Sequence, residues 1–302
     1  MEAVVLENVN KSFGPVQAVA DVTAHIAAGT VCGFLGPNGA GKTTTIRMIM
    51  DIIQPDAGRI EVLGNSSARA AKAQVGYMPE ERGLYRKMTA AKVLSYFGSL
   101  KGVENRTLGR QVAKWLKRVD LSNWADKKVE ELSRGMHQKL QFAVTVINDP
   151  DLLILDEPFS GLDPLNTDLL RAIIREMKDA GRTVIFSTHA MHEAETLCDD
   201  IILINKGKVV LDGPLARIRE QNRLSAVSVR IEGNADFIRT LPGVTAVTRN
   251  ADRIEIALAE DGDTQELLLD LARRLRVRSF EEKIPSLHEI FVSMVGRDGK
   301  DS

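Results

Sequence analysis

The chain has 302 residues, 44% of them hydrophobic and 27% charged, with a formal net charge of −1. That length suits one large domain plus a smaller one, and the even charge balance excludes a global basic field, so no nucleic-acid partner is expected. Apolar runs such as 152–155 and 201–204 fall far short of a membrane span of about 20 residues, and no basic segment followed by an apolar one marks a signal peptide.

In chain order, residues 3–9 and 22–35 read as strands, interrupted by a turn at Ala28-Gly29. Val31–Leu35 is a short apolar strand that runs into a Gly-rich loop. A helix is expected from residue 42 to about 52, with Ile46, Ile49 and Met50 on one face. Pro55 and Gly58 break that pattern before a strand at 59–62. Residues 87–147 are mostly helical in period. Strands follow at 151–155 and 183–188, helices at 165–179 and 191–197, and a hairpin at 200–211. Apolar strands alternating with helices predict an α/β domain with a largely parallel, doubly wound sheet.

From about residue 224 the pattern changes. Short alternating segments at 226–231, 244–248, 253–258 and 277–281 interleave with helical ones at 235–241 and 264–275. This β-α-β-β-α-β order predicts a small ferredoxin-like α+β domain over 224–302. Ser286 with Glu289 three residues on predicts a capping box for a last helix. Its stripe of Leu287, Ile290, Phe291, Met294 and Val295 either packs on its own sheet or pairs two copies. The basic stretch Arg273, Arg274, Arg276 and Arg278 reads as a solvated face, with anionic lipid headgroups as the alternative. Glu260, Asp261 and Asp263 read as a solvated turn. Cys32 and Cys198 have no metal or redox spacing and are expected to be free thiols.

Two features carry chemistry. The first is the loop Gly36-Pro37-Asn38-Gly39-Ala40-Gly41-Lys42-Thr43, spaced G-x-x-x-x-G-K-T between a strand and a helix. Its glycines let backbone N–H groups cradle phosphates, and the helix N-terminus adds its dipole. Lys42 is placed for the β and γ phosphates, the Thr43 hydroxyl for Mg²⁺, and Thr44 extends the cradle. Alone, this loop leaves a GTPase, a small-molecule kinase or a motor open. A guanine-reading N-K-x-D is missing, since Asn205-Lys206-Gly207-Lys208 lacks the Asp. The second feature is the apolar run 152–155 ending in Asp156-Glu157. It lifts Asp156 to the carboxyl edge of the sheet as a Mg²⁺ ligand and Glu157 beside it as general base. His189 stands directly after the strand 183–188, a position that alone reads as structural.

Together these residues resemble the nucleotide-binding subunit of ATP-binding-cassette (ABC) transporters over about residues 3–220. Phe13 matches the aromatic that stacks on adenine, its alternative being a core Phe at a strand end. Met78-Pro79-Glu80 matches the loop that senses the γ phosphate and the membrane partner, and Leu132-Ser133-Arg134-Gly135-Met136 matches the L-S-G-G-Q signature. Ser160-Gly161-Leu162-Asp163 matches the loop that crosses between subunits, and His189 the switch histidine. The chain departs from the family at Glu80, usually Gln, and at Arg134 and Met136, usually Gly and Gln. A carboxylate at Glu80 beside another anion needs Mg²⁺ or Arg82 nearby to be tolerated. These departures resemble the ABC-2 type exporter subfamily. The resemblance implies an ABC-type P-loop ATPase domain over 1–222, with a helical subdomain at about 87–147 that meets a permease. It implies a head-to-tail dimer in which Ser133 and Gly135 of one copy face the ATP held by the other, with Asp163 a nucleotide-site residue on the loop that crosses between subunits. It also implies an enzyme on the cytoplasmic face of the membrane, attached through separate permease subunits. A soluble ABC ATPase acting on ribosomes or DNA is the alternative.

Overall fold

The computed structural model describes residues 1–66, 69–81, 83–222, 226–250, 253–259, 262–283 and 285–298. Arg82, Glu260, Asp261 and the turn residues Ala251 and Asp252 lie outside the described residues. The chain divides into two units, Met1–Leu215 and Ala216–Ser302.

The first unit begins with the antiparallel pair β1 (Glu2–Phe13) and β2 (Val16–Ala27), both longer than expected. Polar residues such as Lys11, Ser12 and Gln17 hide the alternation where the two strands meet at Gly14. After β3 (Val31–Leu35) and helix α1 (Lys42–Ile49), strand β4 (Ala57–Val62) pairs with β1, completing a three-stranded sheet in the order β2-β1-β4. Helix α1 ends three residues early, where Asp51 takes a left-handed φ of 55°.

Strand β5 (Val75–Met78) follows, then the helices α2 (Ala90–Leu100), α3 (Asn105–Arg118) and α4 (Arg134–Val146). Next come β6 (Leu152–Asp156), α5 (Pro164–Asp179), β7 (Thr183–Thr188), α6 (Met191–Leu197) and the antiparallel hairpin β8 (Asp200–Asn205) and β9 (Lys208–Pro214). The larger sheet has the order β5-β6-β7-β3-β8-β9 and is parallel except for β9. Strands β3, β6 and β7 are buried along their whole length, as parallel strands covered on both faces must be. Val4, Leu6 and Ile26 of the small sheet join Phe34, Ile154 and Ile185 of the large one, with Ile46 of α1, in one core.

Helices α2 to α4 pack on one another. Thr89 and Ser133 accept from Lys92 N and Met136 N and so cap the starts of α2 and α4. At the far end of α4, Lys101 Nζ donates to the carbonyls of Val144 at 3.0 Å and Thr145 at 2.8 Å. Burial pushes the Lys101 amine down to about 8. Below pH 8 the folded and unfolded chains both carry this charge, and the folded one bears its desolvation. Between pH 8 and the ordinary lysine value the unfolded chain holds the extra proton, so this group makes stability rise with pH. Relative to Lys101→Met, the wild type should gain on the order of 2–3 kcal/mol across that window. Urea denaturation of both proteins from pH 7.5 to 10.5 measures it, and a constant difference would refute it.

In the second unit α7 (Leu215–Gln221), which starts at the boundary, leads to β10 (Ala226–Glu232), β11 (Val244–Asn250), β12 (Arg253–Leu258), α8 (Thr264–Arg274), β13 (Arg276–Glu282) and α9 (Leu287–Asp298). All strand pairs are antiparallel, in the order β11-β12-β10-β13. The helix expected at 235–241 is only a 3₁₀ turn, Asp236–Thr240. Val227, Val229, Ile256, Leu267 and Leu271 form this unit's core. The Ser286–Glu289 capping box is present, with both reciprocal bonds made. Leu287 and Ile290 are buried within the chain, which favours packing of the α9 stripe on its own chain; the Val295 side chain lies outside the described residues. The basic stretch is exposed and partnered: Arg278 pairs with Glu232, and Arg274 lies over the Phe237 ring.

Among the described residues no helix is long and apolar enough to cross a membrane. Cys32 and Cys198 are free thiols, and Cys32 is buried as expected.

Candidate functional site

Four neighbouring parallel strands, β5, β6, β7 and β3, deliver four loops to one edge of the sheet. They carry Glu80, Asp156-Glu157, His189 and the phosphate loop, in register: Asp156 pairs with Ser187 and Leu35 with Thr188. A cavity of about 460 Å³ opens there, lined by Asn38 to Thr44, Glu80, Glu157 and His189, together with Ala18 and Ser160.

The loop's shape depends on glycine at two points. A Cβ on Gly36 (φ 145°) would sit 2.1 Å from the Ile204 carbonyl oxygen, and one on Gly41 (φ 108°) 2.5 Å from that of Ala18. Lys42 is buried and folds back on the loop, donating to the carbonyls of Gly36 at 2.8 Å and Pro37 at 3.0 Å. Burial holds its amine below the ordinary lysine value, while Glu157, Asp156 and Glu80 pull it back up.

Asp156 is 1% exposed. Its Oδ1 accepts from Thr43 Oγ1 at 3.3 Å and from Ser187 Oγ. Its Oδ2 is buried with no partner. A buried carboxylate oxygen left open beside a threonine hydroxyl and a phosphate-binding loop fits a hard divalent cation. Among the described residues no three His, Cys, Asp or Glu side chains form a metal cage.

Glu157 occupies a left-handed φ of 50°, unusual for a residue with a Cβ. Its N–H faces Ser187 Oγ at 3.2 Å, and its Oε1 lies 2.9 Å from His189 Nδ1. The carboxylate is largely buried, whereas the imidazole, also in the cavity lining, is 57% exposed. The site therefore holds an oriented acid–imidazole pair beside a lysine and a cradle of N–H groups.

The ABC transporter family profile matches residues 19–160, and a profile described as the ATP-binding protein DrrA1-3-like C-terminal domain matches residues 213–295. The uncharacterized ABC transporter ATP-binding protein YhaQ of Bacillus subtilis (strain 168) is 38% identical over 291 residues, 96% of this chain and 98% of that protein. This chain belongs to the ABC transporter ATP-binding proteins. The Nod factor export ATP-binding protein I of Sinorhizobium fredii (strain NBRC 101917 / NGR234) is 35% identical over 307 residues, 99% of this chain and 88% of that protein. A solved structure of an ATP-binding subunit of an ABC transporter aligns with a TM-score of 0.68 at 30% identity, covering 73% of this chain and 93% of that one.

In this ABC ATP-binding protein Gly36, Pro37 and Asp156 stand just behind the cavity lining, and Phe13, Ser133, Gly135 and Asp163 also stand outside it. Phe13 closes β1 with its ring 52% exposed and Lys11 Nζ 5.6 Å from the ring centroid, so the alternative of a core phenylalanine is excluded. Ser133 caps α4, and Gly135 sits in its first turn beside Leu162. Asp163 caps α5, accepting from Asn166 N at 3.0 Å, which together with the Asn166 side chain holds its carboxyl below the ordinary value. Arg134 lies against Gly161 of the following loop: a Cβ there would meet Arg134 Nε at 2.4 Å. The residue that replaces the signature glycine thus packs on the Ser160–Asp163 loop. Sequence reasoning left Ala18 and Ser160 out of the site. Ser160 had a signal, as the first residue of a quoted loop motif; Ala18 had none.

Proposed function

We propose that this chain is the ATP-hydrolysing engine of an ABC exporter, working as a head-to-tail pair of copies against separate permease subunits. The observation that carries the reading is the Glu157–His189 pair at 2.9 Å, held over the phosphate loop in one cavity. Lys42 releases its two loop carbonyls and donates to the β and γ phosphates, exchanging neutral acceptors for charged ones. Backbone N–H groups of the loop from Gly39 to Thr44, which line the cavity, hold the phosphate oxygens. Asp156 and Thr43 hold Mg²⁺, which neutralises charge on the β and γ phosphates when bound. Glu157 takes the proton of a water whose oxygen bonds to the γ phosphorus as the bond to the bridging oxygen breaks and ADP departs. His189 is oriented by Glu157 and donates to the γ phosphate. Ser133, Gly135 and Asp163 stand outside the chain's own cavity, which supports their use on the ATP of a second copy.

Phe13 is exposed at the end of β1, which supports stacking on adenine. Phe13→Ala should weaken ATP binding by about 1–3 kcal/mol with little change in maximal rate. Titration with ATP in the absence of turnover measures this, and an unchanged affinity would remove the assignment.

The permease contact is assigned to the helical region 87–147 with the Glu80 loop. Tyr85, Tyr96 and Leu100 are exposed there, and the Tyr85 and Tyr96 rings meet edge to face at 5.4 Å. Export is supported by the Nod factor export relative. We read the second unit as a ferredoxin-like accessory domain, a reading supported by its strand order β11-β12-β10-β13. Attachment to the cytoplasmic face follows from the permease. Purification of the tagged chain from membranes tests the whole reading: a stoichiometric polytopic partner is expected, and recovery with ribosomes instead would overturn it.

A further inference from the structure

Helix α4 is buried without interruption from His137 to Val146. Two of these positions are glutamines one turn apart, Gln138 and Gln141, each 4% exposed. An apolar side chain packs at such a position without desolvating an amide, so each amide needs partners to be tolerated. Gln141 Nε2 donates to the carbonyls of Pro79 at 2.7 Å and Glu81 at 3.2 Å, the residues on either side of Glu80. Gln138 Nε2 donates to the carbonyls of Glu157 at 3.3 Å and Pro158 at 3.1 Å. Each amide therefore spends its two N–H groups on a pair of carbonyls beside one acid of the cavity. Gln141 Oε1 has no hydrogen-bond partner, so its amide is used as a donor alone. Glu157 has the further need of an anchor, because its left-handed backbone is unfavourable for a side-chain-bearing residue by about 1–2 kcal/mol.

We propose that Gln138 and Gln141 are positioning residues that fix Glu157 and Glu80 to helix α4, so that both acids move with the helix capped by Ser133. The inference rests on the hydrolytic reading above and adds to it a link within one chain. The face carrying Ser133, offered to a second copy, and the acids of the chain's own site are joined by two side-chain amides. Neither glutamine touches the cavity, so both act through the loops that they hold.

The test uses the full chain with Gln138→Met and Gln141→Met, which keep length and volume but lose the donors, and Gln141→Lys, which restores a donor. Each Met variant should lower kcat by about tenfold or more while ATP affinity without turnover stays within about twofold, since the phosphate loop is untouched. Gln141→Lys should recover most of the loss. Wild-type kcat in both Met variants would overturn the proposal. So would ATP affinity falling in parallel with kcat, which marks a general structural role. Where Gln141→Met does not fold, Gln138→Met and Gln141→Lys give the same decision. Glu157→Gln run alongside separates the two readings: normal turnover there would defeat the general-base assignment, whereas abolished turnover beside normal Met variants would defeat only the positioning role.

Discussion

Replacing Glu157 with Gln should leave ATP bound and cut its hydrolysis by about 10²–10⁴-fold, the range for a positioned general base. The amide has the same size and reaches His189 with the same oxygen, so the 2.9 Å contact with Nδ1 survives. The backbone at φ 50° asks nothing different of Gln than of Glu. What disappears is the negative charge and, with it, the capacity to take a proton. Lys42, Thr43 and the loop N–H groups are unchanged, so nucleotide affinity should hold. Under the proposed mechanism the variant accumulates as an ATP-bound pair of copies, because the phosphate bridge that would separate on hydrolysis persists. Phosphate release and size-exclusion chromatography with ATP read the two effects on one preparation. Turnover within about threefold of wild type would show that another group, or no group, accepts the proton.

The parts of this site that the sequence displays are those where backbone or burial tolerates one residue type only. Gly36 and Gly41 face carbonyl oxygens at distances no Cβ can take, so the phosphate loop leaves a fixed spacing in the chain. Strand β6 is buried on both faces, so Asp156 and Glu157 stand out at the end of an apolar run. Residues recruited by long-range pairing leave no such mark. Ala18 reaches the cavity because β2 lies beside the loop, and nothing in its own neighbourhood announces that. Strand β5 is four residues long, too short for its period to be read, yet it carries Glu80 to the cavity. The three-stranded sheet is invisible for the same reason, since β4 meets β1 across some fifty residues of chain. Gln138 and Gln141 stand among the polar residues His137 and Lys139 in the first half of α4, and polar residues in a helical pattern read as a solvated face until the structure shows them buried.

The second large effect is expected at Asp156, where stability and function should move in opposite directions. The side chain is buried, one oxygen takes two hydroxyl donors, and the other has none. An unmet buried acceptor costs about 1–3 kcal/mol, more when charged. The nearby Lys42 offsets part of this through space, and the same attraction raises the lysine's affinity for its proton. Asp156→Asn keeps a carbonyl oxygen for Thr43 and Ser187, puts a neutral N–H₂ group where the open anionic oxygen stood, and removes the net charge. Without nucleotide the variant should therefore melt no lower than wild type, and higher by an amount equivalent to about 1 kcal/mol. With ATP and Mg²⁺ the order should reverse. The wild type gains RT ln(1 + [L]/Kd) from a ligand that only the folded state binds, and under the proposed Mg²⁺ assignment its metal-dependent share requires an anionic oxygen at Oδ2. Thermal melts with ATP plus Mg²⁺ and with ATP plus a chelator isolate that share. It should be present in wild type, absent in Asp156→Asn, and accompanied by at least a hundredfold loss of turnover in the variant, as expected when a charge-stabilising group is removed from a phosphoryl-transfer site. A variant that gains as much from Mg²⁺ as wild type would move the cation elsewhere. One that melts below wild type without nucleotide would mean that the open oxygen is no liability to the empty fold.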